Sequence, residues 1–259
     1  MKMPTFPNRQ GGYSLIELMV AGTLGLFLMT GIINIYLSGL QTTNLQGSLS
    51  DLQDRGRFIS QYLVDDIQKA GWSDPFDTSQ STIVGGVRFG SGQTANNASE
   101  CVAGSGINCD SLQIRYYGVT DCLGAQVNAG AVGVVTNTYA VVGGDLQCTG
   151  SAGVPATLIS GVESFQLMYG VDDRSSEGVG ADFLDGIIDR YLSAADVPSN
   201  TASRNILAVR YAVLLRSTSE NALDSAVERN YTLLDEAQET FNDRYLRVLF
   251  SGTISVINN

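Results

Sequence analysis

The residue whose type and position most clearly indicate a chemical role is Glu17, the only charged residue from position 10 to position 50. It stands just before a largely apolar run, Leu18–Leu40. A carboxylate at the edge of an apolar span is costly and needs a cationic partner, unless it remains among headgroups as an interfacial acid. Cleavage after Gly12 would create a cation, the α-amino group of Tyr13, four residues before Glu17. In a filament, this amine could pair with Glu17 of the same chain or of a neighbour and fix the axial register between subunits.

The cysteines are a second group of interest, because they could bind a metal ion or form disulfides. They are Cys101, Cys109, Cys122 and Cys148. The chain has no histidine, so a zinc site would need all of them, and their spacing fits no familiar zinc motif. An even number of cysteines beyond an apolar segment favours disulfides in an oxidising compartment over free buried thiols. Among the three possible connectivities, pairing of sequence neighbours is the most economical: Cys101 with Cys109, and Cys122 with Cys148.

An acidic segment offers a possible cation site. Its acids are Asp172, Asp173, Glu177, Asp182, Asp185 and Asp189. The spacing of Asp182, Asp185 and Asp189 is similar to that of oxygen ligands for calcium. The complete loop motif with its terminal bidentate glutamate is missing, so a solvated acidic loop is the alternative. We expect no other cofactor and no small-molecule substrate.

Composition argues against several classes of function. The formal net charge is -11, which disfavours nucleic acid as a partner. The absence of histidine removes the usual general base near neutral pH and the Ser-His and Cys-His nucleophile pairs. No nucleophile or phosphate-loop motif is present. The sequence therefore predicts a protein that is not an enzyme.

One long helix must carry Glu17. The apolar run is long enough to cross a membrane over residues about 15–40, because a helix rises about 1.5 Å per residue. Lys2 and Arg9 precede it and mainly acidic sequence follows, which predicts a cytoplasmic N-terminus. From residue 46 to 70 the pattern becomes amphipathic, and Gly71 fits a C-cap, so we predict a helix over 13–71. Its charged residues are predicted to lie on the surface: Asp51, Asp54, Arg55, Arg57, Asp65, Asp66 and Lys69.

Residues 72–259 have the sequence pattern of a β-rich globular domain. The predicted strands are Leu112–Tyr117, Val132–Val142, Val162–Tyr169, Ile206–Arg216 and Tyr245–Ile257. The polar segment 219–243 is predicted to hold a short helix and an edge strand at 231–234. A helix followed by a run of strands predicts an α+β fold, in which a mostly antiparallel sheet packs on the helix.

The N-terminal sequence GGYSLIEL, residues 11–18, resembles the type IV prepilin motif. The resemblance implies a leader peptide, residues 1–12, that a prepilin peptidase removes on the cytoplasmic face. It also implies N-methylation of Tyr13 and a role for Glu17 as the assembly carboxylate. Tyr13 departs from the family, in which phenylalanine is most usual at this position.

Several later stretches resemble the PilW-type minor pilins. They are residues 39–42, 57–58, 70–72, 120–124, 146–148, 161–163, 169–172 and 209–217. The resemblance implies a pilin-like fold and a minor subunit that primes or joins a type IV pilus near its tip. It implies partners among other minor and major pilins, and a single-pass precursor in the bacterial inner membrane with a periplasmic domain. It also supports the pairing of Cys122 with Cys148, whereas Cys101 and Cys109 lie in a variable loop.

Other functions remain open at the level of sequence. A type II secretion pseudopilin would share the same N-terminus and size. An envelope enzyme held by a signal anchor would need a convergent catalytic set, against which the missing histidine argues. A tip adhesin or a DNA-uptake subunit is a third alternative, and the acidic charge disfavours DNA.

Overall fold

The computed structural model describes residues 12–73, 87–88, 95–172, 186–197 and 206–258. The chain forms two compact units, Met1–Gln46 and Gly47–Asn259. Both units contain part of helix α1, which runs from Leu15 to Ile67.

The C-terminal part of helix α1 packs on the domain. Leu52, Ile59, Leu63 and Ile67 are fully buried and recur at four- and seven-residue steps along one face. The helix finishes in tight turns that lead to Gly71, whose φ is 79°. The Gly71 N–H donates to the carbonyl oxygen of Arg115 at 2.8 Å and not to a carbonyl of the last helical turn, so Gly71 has the positive φ of a C-cap glycine without the capping hydrogen bond.

The first sheet is antiparallel, with the order β1-β3-β4-β5-β6, and β2 pairs with β3. Its strands are β1 (Val87–Arg88), β2 (Ala95–Glu100), β3 (Asn108–Gly118), β4 (Gly133–Val142), β5 (Asp145–Thr149) and β6 (Pro155–Ser160). A short 3₁₀ helix, Asn128–Gly130, lies between β3 and β4. Alternation of buried and half-buried residues along β4 indicates that one face of the sheet contributes to the core.

The second sheet is also antiparallel and has the order β12-β9-β7-β8. Its strands are β7 (Val162–Val171), β8 (Arg190–Leu192), β9 (Ile206–Arg216) and β12 (Arg247–Ser255). The central strands β7 and β9 are buried along most of their length, whereas β12 pairs only with β9. The α+β fold class, with a long helix on antiparallel sheets, is therefore confirmed.

The segment 219–243 differs from the prediction. It forms a hairpin of β10 (Val227–Tyr231) and β11 (Glu239–Asp243), with Leu234 at a positive φ of 52° in the connection. The predicted short helix and the strand at 231–234 are wrong. Leu233 is buried against Ala212 and Leu214 of β9, which attaches the hairpin to the outer face of the second sheet.

A buried ion pair ties this hairpin to the second sheet. Arg247 of β12 donates to Glu163 of β7, with Nη2 at 3.0 Å from Oε1, and to both carboxylate oxygens of Asp243 at 2.6 Å. Arg216 Nη1 lies 3.5 Å from the same Glu163. The Arg247 bond holds the pKa of Asp243 below its usual range. The cluster fixes β7, β11 and β12 relative to one another.

Helix α1 approaches β12 very closely at Gly56. A Cβ built on Gly56 would lie 2.1 Å from Cζ of Phe250, so only glycine leaves room for the aromatic ring. This contact is the reason for a glycine within the packed part of a helix, where it otherwise costs stability.

Candidate functional site

The N-terminal segment of α1 carries the predicted assembly residues. Gly12 and Tyr13 are exposed and precede the helix, and the first helical hydrogen bond runs from the Leu18 N–H to the Ser14 carbonyl at 3.1 Å. Glu17 lies exposed in the first turn, where a negative charge is favoured by the helix dipole. Residues 1–11 of the predicted leader lie outside the described residues, so cleavage after Gly12 stays a prediction.

The first unit presents an apolar surface to its surroundings. Every described residue from 12 to 46 is exposed. Leu15, Phe27 and Ile35 are 77%, 81% and 76% exposed, values that are typical of a side chain without any neighbour. One helix in the described part of the chain, Leu15–Ile67, is long and apolar enough to cross a membrane, and none of its most apolar window is buried within the protein.

Polar side chains within this apolar segment are satisfied by the helix itself. The hydroxyl groups of Thr23 and Thr30 donate to the carbonyls of Val20 and Leu26 at 2.9 Å, and the Asn34 amide donates to the carbonyl of Thr30. Because these donors bond to main-chain carbonyls, they need no water when the segment lies in lipid or in a packed helix bundle.

Glycines in the same segment have no role in packing within the chain. They are Gly22, Gly25, Gly31 and Gly39. A Cβ at any of them would meet nothing within 4 Å. Each glycine lowers intrinsic helix stability, by up to about 1 kcal/mol in water. Their position suits close approach by other helices, which small residues permit.

A polar cluster beneath α1 was not anticipated from the sequence. Asp66 was predicted to lie on the surface, and this is wrong, because it is 4% exposed. It accepts hydrogen bonds from Asn137 Nδ2 at 2.7 Å and from the Tyr139 hydroxyl, both on β4. Asn137 Oδ1 accepts the Cys122 N–H at 3.1 Å, and the Tyr62 hydroxyl donates to the Cys122 carbonyl. Burial, followed by the charge of Asp66, raises the pKa of Tyr139. The hydrogen bonds of the cluster orient α1 on β4.

Both disulfides occur as predicted from the sequence. Cys101 is bonded to Cys109, and Cys122 to Cys148. The second bridge closes a loop of 26 residues and joins the 120–124 loop to β5. Such bridges stabilise a domain mainly by restricting its unfolded chain.

The 120–124 loop is organised by Asp121. Its Oδ1 accepts the N–H groups of Leu123 and Ala125, each at 3.0 Å. A Cβ on Gly150 would lie 2.1 Å from Asp121 Oδ2, so the strand end after Cys148 needs a glycine. The structure of the loop therefore explains why residue 121 is an aspartate and residue 150 a glycine.

Arg55 is a second departure from the predicted surface charges. It forms the expected pair with Asp51 at 2.6 Å, four residues earlier. It also donates to the carbonyl oxygens of Ser160, at 2.8 Å, and of Arg216, at 3.3 Å. Its guanidinium therefore joins the helix to the ends of β6 and β9, which a solvated helix pair would not do.

Two acids within the domain have raised pKa values. Asp110 is 1% exposed and accepts the N–H groups of Asn97 at 2.8 Å and Leu167 at 2.7 Å. Burial raises its pKa to about 7, against the effect of these hydrogen bonds. Burial likewise raises the pKa of Glu239 to about 7, against a hydrogen bond from Ser164. Asp110 is sealed within the protein, which suits a structural group better than an acid that meets a substrate.

The predicted calcium residues are only partly described. Asp182 and Asp185 lie outside the described residues, and Asp189 lies just before β8, where its N–H donates to the Val171 carbonyl at 2.9 Å. Asp172, at the other end of the acidic segment, accepts the Gly186 N–H at 2.9 Å. Within the described ranges, no three acids, cysteines or histidines are grouped so that they could hold a metal ion. The calcium site stays a prediction.

Comparison with known proteins identifies the family. No curated protein matches the chain. Among solved structures, the type IV-like pilin TTHA1219 from Thermus thermophilus is similar, with 15% sequence identity and a TM-score of 0.46, over 80% of this chain and 97% of that one. The model of the family PilW, Type IV Pilus-assembly protein W, matches residues 126–258, just over half of the chain. With an apolar N-terminal helix on a disulfide-bonded antiparallel β domain, this chain belongs to the PilW family of type IV pilus-assembly proteins.

Proposed function

We propose that the chain is a minor pilin, which is processed after Gly12 and then joins or primes a type IV pilus near its tip. In this proposal the precursor spans the inner membrane once, with the leader in the cytoplasm and the β domain in the periplasm. Prepilin peptidase removes residues 1–12, and Tyr13 becomes the N-methylated terminus. The apolar helix then leaves the bilayer for a bundle of helices, in which Glu17 pairs with a cationic terminus.

One observation carries this proposal: the apolar segment has no packing partner among the described residues of its own chain. Its large side chains are exposed, and its threonine and asparagine side chains bond back to the helix. Such a segment requires either lipid or other helices around it. A filament subunit needs both environments in turn, first as a precursor and then as a subunit.

The acid at the start of the helix supports the same proposal. Glu17 lies in the first turn, and the main-chain nitrogen of Tyr13 stands four residues before it, about one helical turn away. After cleavage that nitrogen would be a cation close to the carboxylate, within one subunit or between neighbours. Pairing would remove the cost of carrying a lone carboxylate into an apolar bundle.

The role we propose is assembly and not catalysis. The sequence contains no histidine, and the buried acids of the domain bond to its own backbone and side chains. The expected partners are other minor and major pilins, the prepilin peptidase and the inner membrane. The two disulfides suit a domain that folds in an oxidising compartment.

Processing is tested by the intact mass of the full chain, extracted from membranes with and without a prepilin peptidase. We expect a peptidase-dependent loss of residues 1–12 and the addition of one methyl group. Gly12→Leu should abolish the loss, because a bulky residue replaces the small one at the cut. Gly11→Leu is the matched control, with the same change one residue earlier. A full-length mass under both conditions would contradict the proposal and favour a signal-anchored envelope protein.

Assembly is tested separately with Glu17→Gln. This variant should still lose its leader and should insert in the membrane, but its incorporation into sheared filaments should fall at least severalfold. Complementation of cells that lack the gene then distinguishes the two filament systems. Recovery of surface pili supports the pilus role, and recovery of protein secretion alone would indicate a type II secretion pseudopilin.

A further inference from the structure

Strand β12 has one unpaired edge. The Ser217 N–H donates to the Leu246 carbonyl, and the Val256 N–H donates to the Leu207 carbonyl, each at 2.8 Å. In an antiparallel ladder the bonded residues alternate, so the even-numbered residues of β12 bond to β9. The odd-numbered residues direct their N–H and C=O groups away from the sheet. They are Leu249, Ser251, Thr253 and Ser255, and their side chains are exposed.

This edge has none of the usual protection against pairing with another chain. From Val248 to Asn259 the sequence has no charged residue and no proline, and it is rich in valine, isoleucine and threonine. The nine residues of β12 pair with β9 without a bulge. Exposed edges are normally protected by charge, by proline, by bulges or by shortness.

The other edge strands of the described residues do have such features. Strand β6 begins with Pro155 and has a shift in its register with β5. Strand β8 is three residues long and begins with Arg190. Strands β10 and β11 contain acidic and basic residues along their length. The edge from Val248 to Ser255 is therefore less protected than the other sheet edges in the described part of the chain, which indicates an interface.

The surroundings of the edge indicate the chemistry of its partner. Arg55 and Tyr62 of α1 contact the ends of β6 and β9 and the 120–124 loop, so the opposite flank of the helix lies on the side of the free edge. This flank carries Gln53, the exposed Arg57, Ser60 and the half-buried Val64. An added strand would meet a partly apolar surface with one positive charge on the side that faces α1.

A cavity lies at the C-terminal end of the same strand. It has a volume of about 610 Å³, and its walls include Asp65, Lys69, Trp72, Tyr116, Ile257 and Asn258. Trp72 is 42% exposed and Ile257 is 68% exposed. A side chain at one end of an added strand could be received here, between apolar side chains and the charged groups of Asp65 and Lys69.

We propose that the free edge of β12 binds an extended segment of another pilus-assembly subunit, which adds a strand to the second sheet. The segment has apolar side chains on the face toward α1, where an acidic side chain would pair with Arg57. A second copy of this chain is the less suitable occupant, because two chains of net charge -11 repel each other. Main-chain hydrogen bonds would supply affinity and the flanking surfaces selectivity. The inference rests on the proposed assembly function.

The test uses the full chain in detergent, mixed in turn with each of the other pilin subunits of the same cell. Amide hydrogen exchange is measured at single-residue resolution. In the free chain the N–H groups of Ser251 and Thr253 should exchange rapidly, and in the complex their exchange should slow by about tenfold or more. Protection of the even-numbered residues, which already bond to β9, should change much less.

Variants distinguish the contribution of the main-chain N–H to binding from that of the side chain. Ser251→Pro removes an outward N–H that the ladder does not use, so the thermal unfolding midpoint should stay close to that of the wild type. The dissociation constant should rise by about tenfold, which corresponds to roughly 1.4 kcal/mol. Ser251→Ala keeps the N–H and should bind like the wild type. If the proline variant does not fold, Thr253→Lys places a charge on the same edge and should weaken binding.

Three results would overturn the proposal. A complex with unchanged exchange at Ser251 and Thr253, and with normal affinity for the proline variant, would place the interface elsewhere and leave the assembly function intact. Protection that appears in the chain alone and grows with its concentration would identify a second copy as the occupant. Failure to bind any pilin subunit would contradict the strand addition, and the mass and filament measurements would then show independently whether the assembly function also fails.

Discussion

Replacement of Arg247 by methionine tests the buried ion pair that joins β7, β11 and β12. The Arg247 side chain is 3% exposed and that of Glu163 is 7% exposed, so the change leaves a carboxylate inside the protein without its principal partner. Removal of one member of a buried pair typically costs about 3–5 kcal/mol. Arg216 remains 3.5 Å from Glu163, but its side chain is 37% exposed and compensates only in part. We therefore expect a loss near the lower limit, about 3 kcal/mol.

Asp243 should contribute little to this loss. Its side chain is 33% exposed and can be rehydrated when Arg247 is absent, so its pair is worth about 1 kcal/mol or less. The stabilisation that this pair provides also depends on pH. Because the Arg247 bond lowers the pKa of Asp243, its stabilisation is present above the unfolded pKa of about 4 and is lost as pH falls through the folded pKa. The difference between wild type and variant should shrink in acid.

Urea unfolding of the detergent-solubilised protein at pH 7 measures these free energies, and a double-mutant cycle isolates the pair. Glu163→Leu in the Arg247→Met background should recover about 2 kcal/mol, because the orphaned charge is replaced by an apolar side chain. Glu163→Leu alone should be destabilising. A loss below about 1 kcal/mol for Arg247→Met, with a coupling energy near zero, would refute the reasoning.

Two further predictions concern the domain. Gly56→Ala should destabilise it by about 1–3 kcal/mol in thermal or urea unfolding, because the methyl group overlaps an aromatic ring. Gly47→Ala, in open space on the same helix, should instead be neutral or stabilising, and equal effects would contradict the packing argument. Asp110 and Glu239 have pKa values raised to about 7, so the folded state binds protons that the unfolded state lacks between pH 7 and about 4. Their contribution should make the unfolding free energy rise as pH falls from 8 to 5. Glu239→Gln should reduce that rise, and an unchanged slope would exclude a contribution from Glu239.

The sequence predicted the elements whose patterns are local. The apolar run and the amphipathic stripe of α1 have helical spacing, and the mostly apolar strand at Ile206–Arg216 occurs with the predicted bounds. The cysteine pairing also followed from proximity along the chain. Hairpin β10–β11 was missed because its strands are short and mostly polar, so neither periodicity stands out.

The buried charges could not be predicted in the same way. Asp66 and Arg55 look like ordinary surface residues on a helix, since each has an oppositely charged neighbour three or four residues away. What buries Asp66 is a tyrosine and an asparagine on β4, more than seventy residues later. Long-range partners of this kind leave no signal in the local spacing. The predicted residues Gly12, Tyr13 and Glu17 act, in our proposal, through other molecules, so the structure of one chain does not bring them to a partner.

The attachment of α1 to the domain has a mechanical consequence. Past the end of the helix, the Gly71 N–H donates to Arg115 of β3, and the Tyr117 N–H donates to the carbonyl of Trp72. Further up the helix, Arg55 is bonded to main-chain oxygens at the ends of β6 and β9. A force that pulls on the helix would therefore act at the same time on its contacts with both sheets and would not break them one after another. A helix attached in this way should resist being pulled away until the whole domain yields.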